Sequence, residues 1–245
     1  MLWPLRLIGI VCALIVCAPL HYLWILLRRS SPWPRLFLGA VARIAGMRPV
    51  VVGQPLEAHV LFLANHLSWL DILLIAGATG SRFVSKAEVA RWPVVGWLAS
   101  LNDTIFVART ERSAVKGQAD AVRVALADGR PVGLFPEGTT AGGTEVLPFR
   151  ASLLAALYPP LRQVRVQPVA IDYGAAATAI AWVGDEPAPA NARRVLSRRG
   201  RTRVTLHFLE PLDPADYPDR KALGEAVRGR IVAALFPSAQ RPERV

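Results

Sequence analysis

The sequence predicts an α/β domain with one mostly parallel, mixed sheet flanked by helices, preceded by an N-terminal membrane helix. Short apolar runs of strand length alternate with helical segments along the chain after residue 48. The run from Leu7 to Leu27 contains no Asp, Glu, Lys or Arg. A chain of 245 residues that is 53% hydrophobic and 19% charged has enough apolar material for one core, which excludes a disordered or fibrous protein.

Charge and cysteine content limit the classes of partner and environment. The 29 Lys and Arg residues against 18 Asp and Glu give a net charge of +11, which favours nucleic acid or anionic lipid as a partner. The two cysteines, Cys12 and Cys17, both lie in the apolar N-terminal run. This pattern excludes a disulfide scaffold and a thiolate metal site, and it fits a soluble portion that faces the reducing cytosol.

The apolar run predicts a membrane anchor and favours lipid over nucleic acid. A helix over residues 7–27 would be about 30 Å long, which matches the hydrocarbon core of a bilayer. More arginines follow the run than precede it, so the downstream domain is expected on the cytoplasmic side of the inner membrane. We therefore expect an anchor at residues 1–48 and one globular domain at residues 49–245.

Other interpretations of the N-terminal run are weighed against a spanning helix. A cleaved signal peptide is disfavoured because the run is long and lacks a small-x-small cleavage site. A lipoprotein anchor at Cys17 is disfavoured by the bulky Val16 before it. A helix that bends at Pro19 and enters the membrane without crossing it is compatible with the sequence, with an interfacial helix at Trp33–Met47 as its amphipathic companion.

The alternation of elements is clear after the anchor. Strands are predicted at Val60–Ala64, Arg82–Ser85, Thr104–Ala108, Val132–Phe135, Val166–Ile171, Ala179–Val183 and Val204–Phe208. Helices are predicted at Leu70–Ala78, at Ser113–Asp128 with Gly129 as its C-cap, and at Arg220–Phe236. Residues 184–202 are rich in Pro, Ala and Arg and predict a surface excursion.

The first motif with chemical potential is Asn65-His66-Leu67-Ser68-Trp69-Leu70-Asp71. It follows a strand, so His66 is expected at the carboxyl edge of the sheet, where open α/β sheets bind ligands. Ser68 and Asp71 have the spacing of a capping box, so Asp71 also has a purely structural explanation. His66 has one too, as a polar residue at a helix start.

The functional interpretation of this motif is an acid–base dyad. A histidine titrates near neutral pH, and it acts as a base when one ring nitrogen is free and an acceptor holds the other. Asp71 lies close enough in sequence to supply that acceptor and to stabilise the imidazolium. No Ser or Cys nucleophile is needed if the substrate brings its own hydroxyl, which then attacks a thioester.

The second motif follows the strand at Val132–Phe135 and reads Pro136-Glu137-Gly138-Thr139-Thr140. Backbone N–H groups in such a turn can hold an oxyanion or a phosphate, and Glu137 can accept hydrogen bonds from substrate hydroxyls. The alternative is an ordinary Pro-Glu-Gly turn.

Together the motifs resemble the glycerolipid acyltransferase family, the 1-acylglycerol-3-phosphate acyltransferases. Five blocks in family order carry the resemblance: Asn65–Asp71, Phe83–Glu88, Ile105–Arg109, Phe135–Thr139 and Val166–Ala170. The resemblance implies His66 and Asp71 as catalytic residues. It implies substrate-binding roles for Lys86, Arg109, Glu137, Gly138 and Thr139.

Two departures from the family pattern concern the acceptor headgroup. Asp103 stands where the family often has Gly, and Thr140 stands where many phosphate-using members have Arg. Threonine cannot make the bidentate bonds to phosphate that arginine makes. Arg150 is a candidate replacement for the missing charge, and Asn65, Ser68 and Thr140 are further candidates for substrate contact. The alternative acceptor is a lysolipid without glycerol phosphate, such as a lyso-ornithine lipid, whose acylating enzymes resemble this family closely.

The resemblance implies transfer of an acyl chain from acyl-coenzyme A or acyl-acyl carrier protein, as co-substrate, to the hydroxyl of a lysophospholipid. The expected reaction is 1-acylglycerol-3-phosphate to phosphatidic acid, with His66 as general base and Asp71 orienting it. Backbone N–H groups near Gly138 and Thr139 are expected to stabilise the oxyanion. No cofactor and no metal ion are expected, because the other histidines lack clustered ligands in the sequence.

The segment Arg193–Arg203 contains six arginines in eleven residues. It is either a solvated loop or a surface attracted to anionic lipid or an acidic acyl carrier protein. Nucleic-acid binding is disfavoured because no stacking aromatic residues accompany the charge.

Two rival functions of the whole protein are an acyl-ester hydrolase that uses the same dyad and a non-catalytic membrane adaptor. The anchor favours transfer to lipid, and the intact motifs disfavour an adaptor.

Overall fold

A seven-stranded sheet forms the centre of the fold, in the spatial order β1-β7-β6-β2-β5-β3-β4. The computed structural model describes residues 2–107 and 112–237. The strands are β1 (Met47–Val52), β2 (Val60–Ala64), β3 (Arg82–Lys86), β4 (Ile105–Val107), β5 (Val132–Leu134), β6 (Arg165–Asp172) and β7 (Thr202–Phe208). Strands β6 and β7 are antiparallel, and the other neighbours are parallel. The predicted mostly parallel, mixed α/β sheet is therefore confirmed.

Helices cover both faces of this sheet. They are α1 (Trp3–Leu26), α2 (Trp33–Ile44), α3 (Leu70–Thr79), α4 (Val95–Leu101), α5 (Arg112–Ala127), α6 (Ala177–Ile180), α7 (Ala188–Ser197) and α8 (Arg220–Leu235). Short 3-10 turns lie at Ala87–Arg91, Ala151–Leu157, Gly174–Ala176 and Pro214–Asp216. Helices α2, α3 and α7 contribute to the core on one face of the sheet, and α1 packs against α2. Helices α5 and α8 contribute to the core on the other face.

Strand β2 is the apolar centre of the sheet. It is buried at every position, because β5 and β6 flank it and helices cover both of its faces. Phe62 packs into the core on the α2 and α3 side, and Leu61 and Leu63 pack into the core on the α5 and α8 side. This two-sided burial explains why an uninterrupted apolar run forms a strand here.

The sheet brings separate motifs to one edge. Strands β2, β3, β5 and β6 run parallel, so their carboxyl ends meet at the same edge. The loop after β2 carries residues 65–71, and the loop after β5 carries residues 135–140. These two loops therefore lie side by side although about 70 residues separate them in sequence.

The segment around the expected anchor boundary differs from the sequence-based expectation. Strand β1 begins at Met47, so a boundary after residue 48 falls inside a strand that pairs with β7. The expected interfacial helix at Trp33–Met47 is shorter and ends as α2 at Ile44. Strand β1 gave a weak signal because it is an edge strand that includes Pro49.

Two other sequence-based expectations are wrong. The strand expected at Ala179–Val183 does not form, and Ala177–Ile180 is the short helix α6. The sheet offers this segment no position beside β6, because β2 and β7 occupy both sides of that strand. The surface excursion expected at residues 184–202 contains α7, which places Val195 and Leu196 in the core. Its arginines therefore share a helix with core-forming residues.

Helix α1 lies along the domain instead of extending away from it. It is long and apolar enough to cross a membrane. One face packs on α2, where Gly9 lies against Ile44. The opposite face is exposed and apolar, and it includes Leu5, Ile8, Val11, Ile15 and Leu26.

Both ends of α1 contact other parts of the protein. Near its start, the Arg6 guanidinium donates hydrogen bonds to the carbonyls of Ala45, Leu196 and Gly200. Near its end, the Tyr22 hydroxyl accepts a hydrogen bond from the Trp97 indole at 3.2 Å. These contacts fix the helix against the domain over its whole length.

Close packing of α2 on α3 depends on two facing glycines. A Cβ atom added at Gly77 would lie 2.7 Å from the Gly39 Cα. We expect Gly77→Ala to lower the free energy of unfolding by about 1–3 kcal/mol, because the two helices must move apart. The matched control is Gly229→Ala in α8, where nothing lies within 4 Å of the added Cβ. There we expect a gain of about 0.5–1 kcal/mol.

Chemical denaturation in detergent measures both effects. If the two alanine variants changed stability in the same direction, the close approach of α2 and α3 would be contradicted.

Candidate active site

The histidine and aspartate of the first motif form a hydrogen-bonded pair. His66 Nδ1 lies 2.9 Å from Asp71 Oδ2. His66 lies in the loop between β2 and α3, and Asp71 lies in the first turn of α3. The Asp71 side chain is fully buried, whereas 18% of the His66 side chain is exposed. The pair therefore combines a protected acceptor with an imidazole that reaches the surface.

The Asp71 carboxylate accepts hydrogen bonds from three further donors. Its Oδ2 atom accepts from the backbone N–H groups of Leu67 at 2.7 Å and Ser68 at 2.8 Å. Its Oδ1 atom accepts from the Tyr173 hydroxyl at 2.5 Å. Because the carboxylate is an acceptor, His66 Nδ1 is assigned as the protonated ring nitrogen. That tautomer leaves Nε2 as the basic atom.

The capping-box and dyad interpretations describe the same carboxylate. The Ser68 N–H donates to Asp71, and the Asp71 N–H donates back to the Ser68 carbonyl at 3.0 Å. This is one half of a capping box, because the Ser68 hydroxyl accepts from the Leu70 N–H at 3.4 Å and not from the Asp71 N–H. The Asp71 side chain therefore both fixes the loop before α3 and orients His66.

Aromatic stacking fixes the plane of the His66 ring. The His66 and Phe135 rings are stacked, with centroids 4.0 Å apart and an interplanar angle of 12°. Phe135 stacks in turn on Phe83, with centroids 5.4 Å apart. Since Asp71 fixes Nδ1 and the stack fixes the ring plane, Nε2 points in one direction.

Three hydrogen bonds from other segments hold the backbone of the His66 loop. The His66 N–H donates to Glu137 Oε1 at 2.7 Å. The His66 carbonyl accepts from the Ala141 N–H at 2.7 Å, and the Leu67 carbonyl accepts from the Trp182 N–H at 2.8 Å. The His66 loop is therefore fixed by the protein's own hydrogen bonds.

Glu137 has a different position from the one expected for a substrate contact. It is only 2% exposed, and its second oxygen accepts from the Leu147 N–H at 2.8 Å. Burial raises the pKa of Glu137 to about 7, against the opposing effect of the two backbone N–H donors. Its carboxylate joins the His66 loop to the segment around Leu147, so Glu137 is a positioning residue.

Three further candidates for substrate contact serve the structure instead. The buried Asn65 amide bridges to the backbone of Ile171 in β6, donating at 3.1 Å and accepting at 2.8 Å. Ser68 is also fully buried. The Thr140 hydroxyl donates to the Trp182 carbonyl. The side chains of Asn65 and Thr140 thus link the motifs to distant segments, whereas the Ser68 hydroxyl accepts from the nearby Leu70 N–H.

The rest of the second motif lies at the surface. Gly138 has a φ angle of +73°, and its N–H closes the turn by donating to the Phe135 carbonyl at 3.1 Å. The expected oxyanion contact from this N–H therefore competes with the turn. Thr139 is exposed. The Arg150 side chain lies over the turn, because a Cβ added at Gly138 would be 3.1 Å from its Cδ and Nε atoms.

The structure describes the backbone of one of the two basic residues expected near the headgroup. Lys86 is the last residue of β3, at the same edge of the sheet as His66. Arg109 lies outside the described residues, so its contact with the acceptor stays a prediction.

Tyr173 and Phe135 have roles that the sequence analysis did not assign. Tyr173 follows β6 directly and is 2% exposed, and the burial and the nearby Asp71 raise its pKa well above the usual value. A hydroxyl that stays protonated can keep donating to Asp71. The position of Tyr173 directly after a strand could have indicated this role, since polar residues at the carboxyl ends of parallel strands meet at one edge of the sheet.

Comparison with known proteins assigns the class of protein. The acyltransferase family model matches residues 42–172, which include both motifs. The crystal structure of the 1-acyl-sn-glycerophosphate acyltransferase PlsC from Thermotoga maritima has a similar fold. The TM-score is 0.63 at 24% identity, over 86% of this chain and 80% of that one. With the His66–Asp71 pair at the sheet edge, these matches show that the chain belongs to the glycerolipid acyltransferase family.

Curated relatives identify the chain further as an acyltransferase of lysolipids. A lyso-ornithine lipid O-acyltransferase of Rhodobacter capsulatus is 36% identical, over 83% of this chain and 77% of its own length. The enzyme of that name from Brucella abortus is 33% identical over 96% of both chains. A 1-acyl-sn-glycerol-3-phosphate acyltransferase of Neisseria gonorrhoeae is 32% identical, over 77% of this chain and 75% of its own.

Removing the proposed base tests the role of His66. We expect His66→Ala to reduce acyl transfer by about 10²–10⁴-fold, the usual contribution of general-base catalysis, with the fold retained. Asp71→Asn should also be severe, because an amide cannot accept all the hydrogen bonds that the carboxylate accepts. Turnover and thermal unfolding are measured on the same preparations. A loss confined to stability in Asp71→Asn would leave capping as the only role of Asp71.

The role of Glu137 can be tested because each of its two carboxylate oxygens accepts from a different backbone N–H group. We expect Glu137→Gln to lower the free energy of unfolding by about 1–3 kcal/mol, because the amide nitrogen must face one of the two backbone N–H donors. The matched control is Glu145→Gln, since Glu145 is exposed nearby. Equal stability of the two variants would contradict the role of Glu137.

The raised pKa of Glu137 adds a pH dependence. Between its ordinary value of 4.5 and about 7, the folded state holds the Glu137 proton more tightly than the unfolded chain does. The stability of the wild-type protein relative to Glu137→Gln should therefore fall as the pH rises through this range. Denaturant titrations of both proteins at several pH values measure this difference in the free energy of unfolding.

Proposed function

We propose that the protein transfers an acyl chain from an acyl thioester to the hydroxyl of a lyso-ornithine lipid. The choice of this acceptor rests on one observation: the Thr140 hydroxyl donates a hydrogen bond to the Trp182 carbonyl. Many phosphate-using members of the family have arginine at this position, and a threonine bonded to the backbone offers no charge to a phosphate. The names of the relatives from Rhodobacter capsulatus and Brucella abortus support the same acceptor.

The proposed mechanism begins at His66 Nε2. This atom removes the proton from the acceptor hydroxyl, and the oxygen attacks the thioester carbonyl to form the new C–O bond. Asp71 stabilises the imidazolium through Nδ1 and prevents the ring from turning. The C–S bond then breaks, and the imidazolium returns its proton to the leaving thiolate. The stacked Phe135 ring keeps the imidazole in the same plane throughout.

The proposed co-substrate is acyl-coenzyme A or acyl-acyl carrier protein, and no resident cofactor takes part. Either thioester supplies an activated acyl carbon, so the protein has only to activate the hydroxyl and hold the two substrates together. The segment Arg193–Arg203 includes exposed arginines that would attract an acidic carrier protein or the phosphates of coenzyme A.

We propose that the protein acts on the cytoplasmic face of the inner membrane. The apolar outward face of α1 supports membrane association, and the names of the relatives describe enzymes with lipid substrates. Because both ends of α1 contact the domain, we propose that the helix enters the bilayer without crossing it. The domain then stays on one side, where thiol-containing carriers are made.

A second candidate acceptor is 1-acylglycerol-3-phosphate. The observation in its favour is Arg150, an exposed cation that lies over the Gly138 turn beside the His66 loop. Arginine makes charge-assisted bonds with phosphate, so Arg150 can serve in place of the arginine that Thr140 lacks. The relative from Neisseria gonorrhoeae carries the name of that activity.

An acceptor panel separates these candidates. Membranes that contain the protein are supplied with a labelled acyl donor and with lyso-ornithine lipid or 1-acylglycerol-3-phosphate. We expect a kcat/KM at least about tenfold higher for the lyso-ornithine lipid, since one charge-assisted contact changes affinity by that factor. A higher value for the phosphate acceptor would select the second candidate. Release of the acyl chain without either acceptor would indicate a hydrolase.

Variants at position 140 test the residue on which the acceptor assignment rests. Thr140→Arg should raise kcat/KM for 1-acylglycerol-3-phosphate by about tenfold or more. Thr140→Val removes the hydrogen bond to Trp182 without adding charge, and Thr144→Arg adds the same charge at an exposed position nearby. If either control gave the same gain, the effect would not come from an arginine at the family position.

A further inference from the structure

A compact apolar protrusion lies outside the site and the N-terminal helices. It is the segment Arg91–Trp97, with the sequence Arg-Trp-Pro-Val-Val-Gly-Trp. It exposes four large apolar side chains: Trp92 (42%), Val94 (59%), Val95 (46%) and Trp97 (39%). Contiguous exposed apolar surface of this kind marks an interaction site in a folded protein.

The protrusion is held in shape by close backbone packing at its base. A Cβ added at Gly96 would lie 2.3 Å from the Ala90 carbonyl oxygen, so the two ends of the segment touch. The Gly96 N–H donates to the Trp92 carbonyl at 2.9 Å. Pro93, Val94 and Val95 between these points are all exposed. Val94 has a φ angle of +64°, which is costly for a β-branched residue and is found where other contacts require it.

The protrusion is continuous with α1. The Trp97 indole donates to the Tyr22 hydroxyl at 3.2 Å. Helix α4, which begins inside the protrusion at Val95, contributes Leu98 and Leu101 to an apolar cleft that Leu14 and Ala18 of α1 also line. Tyr22 is itself exposed, so the exposed surface of the protrusion adjoins the exposed side of α1 at this contact.

We propose that the segment Arg91–Trp97 inserts into the same lipid bilayer as α1 and forms a second membrane contact. Tryptophan is enriched at the interface between headgroups and hydrocarbon, and valine side chains partition into the hydrocarbon. Exposed Arg91, at the base of the protrusion, can meet anionic headgroups. An acidic carrier protein is a poorer occupant, because Arg91 is the one cationic residue of this segment.

The position of the protrusion gives this contact a function. It follows the carboxyl end of β3, which pairs with β5, and β5 leads into the loop that carries Glu137. Insertion therefore holds the edge of the sheet that carries His66 at the bilayer surface. A lysolipid can then present its hydroxyl while its acyl chain stays in the bilayer. The inference does not depend on which lysolipid is the acceptor.

Site-directed labelling of the full chain tests the contact. The two native cysteines are replaced (Cys12→Ala and Cys17→Ala), and one new cysteine is labelled with an environment-sensitive fluorophore. Val95→Cys reports on the protrusion, and Ile15→Cys on the outward face of α1. Glu225→Cys, on an exposed position of α8, is the negative control. The labelled proteins are bound to vesicles of phosphatidylcholine and phosphatidylglycerol with or without nitroxide-labelled lipids.

We expect the fluorophores at positions 95 and 15 to shift to shorter wavelength and to be quenched by the nitroxide lipids, while the fluorophore at position 225 does neither. Position 95 behaving like position 225 would overturn the proposal. Absence of quenching at position 15 as well would overturn both membrane contacts. A shift at position 95 that depends on protein concentration and not on lipid would assign the surface to a second copy of the chain.

A kinetic measurement provides an independent test. We expect Val95→Asp to raise KM by about tenfold for a lysolipid presented in vesicles, because the charged side chain must leave the bilayer. The KM for a short-chain lysolipid dispersed as monomers should not change. The matched control is Val124→Asp, which places the same charge on an exposed valine of α5. Unchanged KM for the vesicle substrate in Val95→Asp, or an equal rise in Val124→Asp, would overturn the proposal.

Discussion

The buried carboxylate of Asp71 is the constraint on which the rest of the site depends. It lies in the first turn of α3 and accepts from His66, from the backbone of Leu67 and Ser68, and from Tyr173. A fully buried carboxylate without these donors would be strongly unfavourable, so the donors must stay together. The carboxyl ends of β2 and β6 and the start of α3 are thereby fixed relative to one another. The tautomer of His66 follows from the same contacts.

Glu137 extends this constraint to the neighbouring strand. Its two oxygens hold the backbone of His66 and Leu147, and burial raises its pKa to about 7. The site is therefore built around two inner carboxylates, one that orients the imidazole ring and one that positions its backbone. Neither lies at the surface, whereas among the described residues near the site Thr139 and Arg150 are exposed and His66 is partly exposed. Rigid placement of the His66 imidazole is what the proposed reaction requires, in which the substrate brings its own nucleophile.

The exposed apolar surface of the N-terminal helix depends on the same architecture. Helix α1 is apolar on all sides, but one side packs on α2 and the other is exposed. Arg6 fixes one end of the helix through three carbonyl groups, and Tyr22 contacts α4 near the other end. A helix held in this way presents a fixed apolar surface, which suggests membrane association. Such an arrangement suits an acyltransferase of lysolipids, because acceptor and product both carry acyl chains that are stable only in lipid.

The sequence by itself determined the elements whose signals are local. Strand β2 was predicted with its observed bounds because five consecutive apolar residues can form only a short buried strand. The pairing of His66 with Asp71 was also predictable, because a loop and one helical turn separate them. The tertiary structure alone decided the features that depend on distant partners. Strand β1 exists because β7 pairs with it, and Ala179–Val183 is no strand because β2 and β7 occupy both sides of β6. Tyr173 and Glu137 acquired their roles in the same way, since hydrogen-bond partners far apart in the chain are set by packing and not by local periodicity.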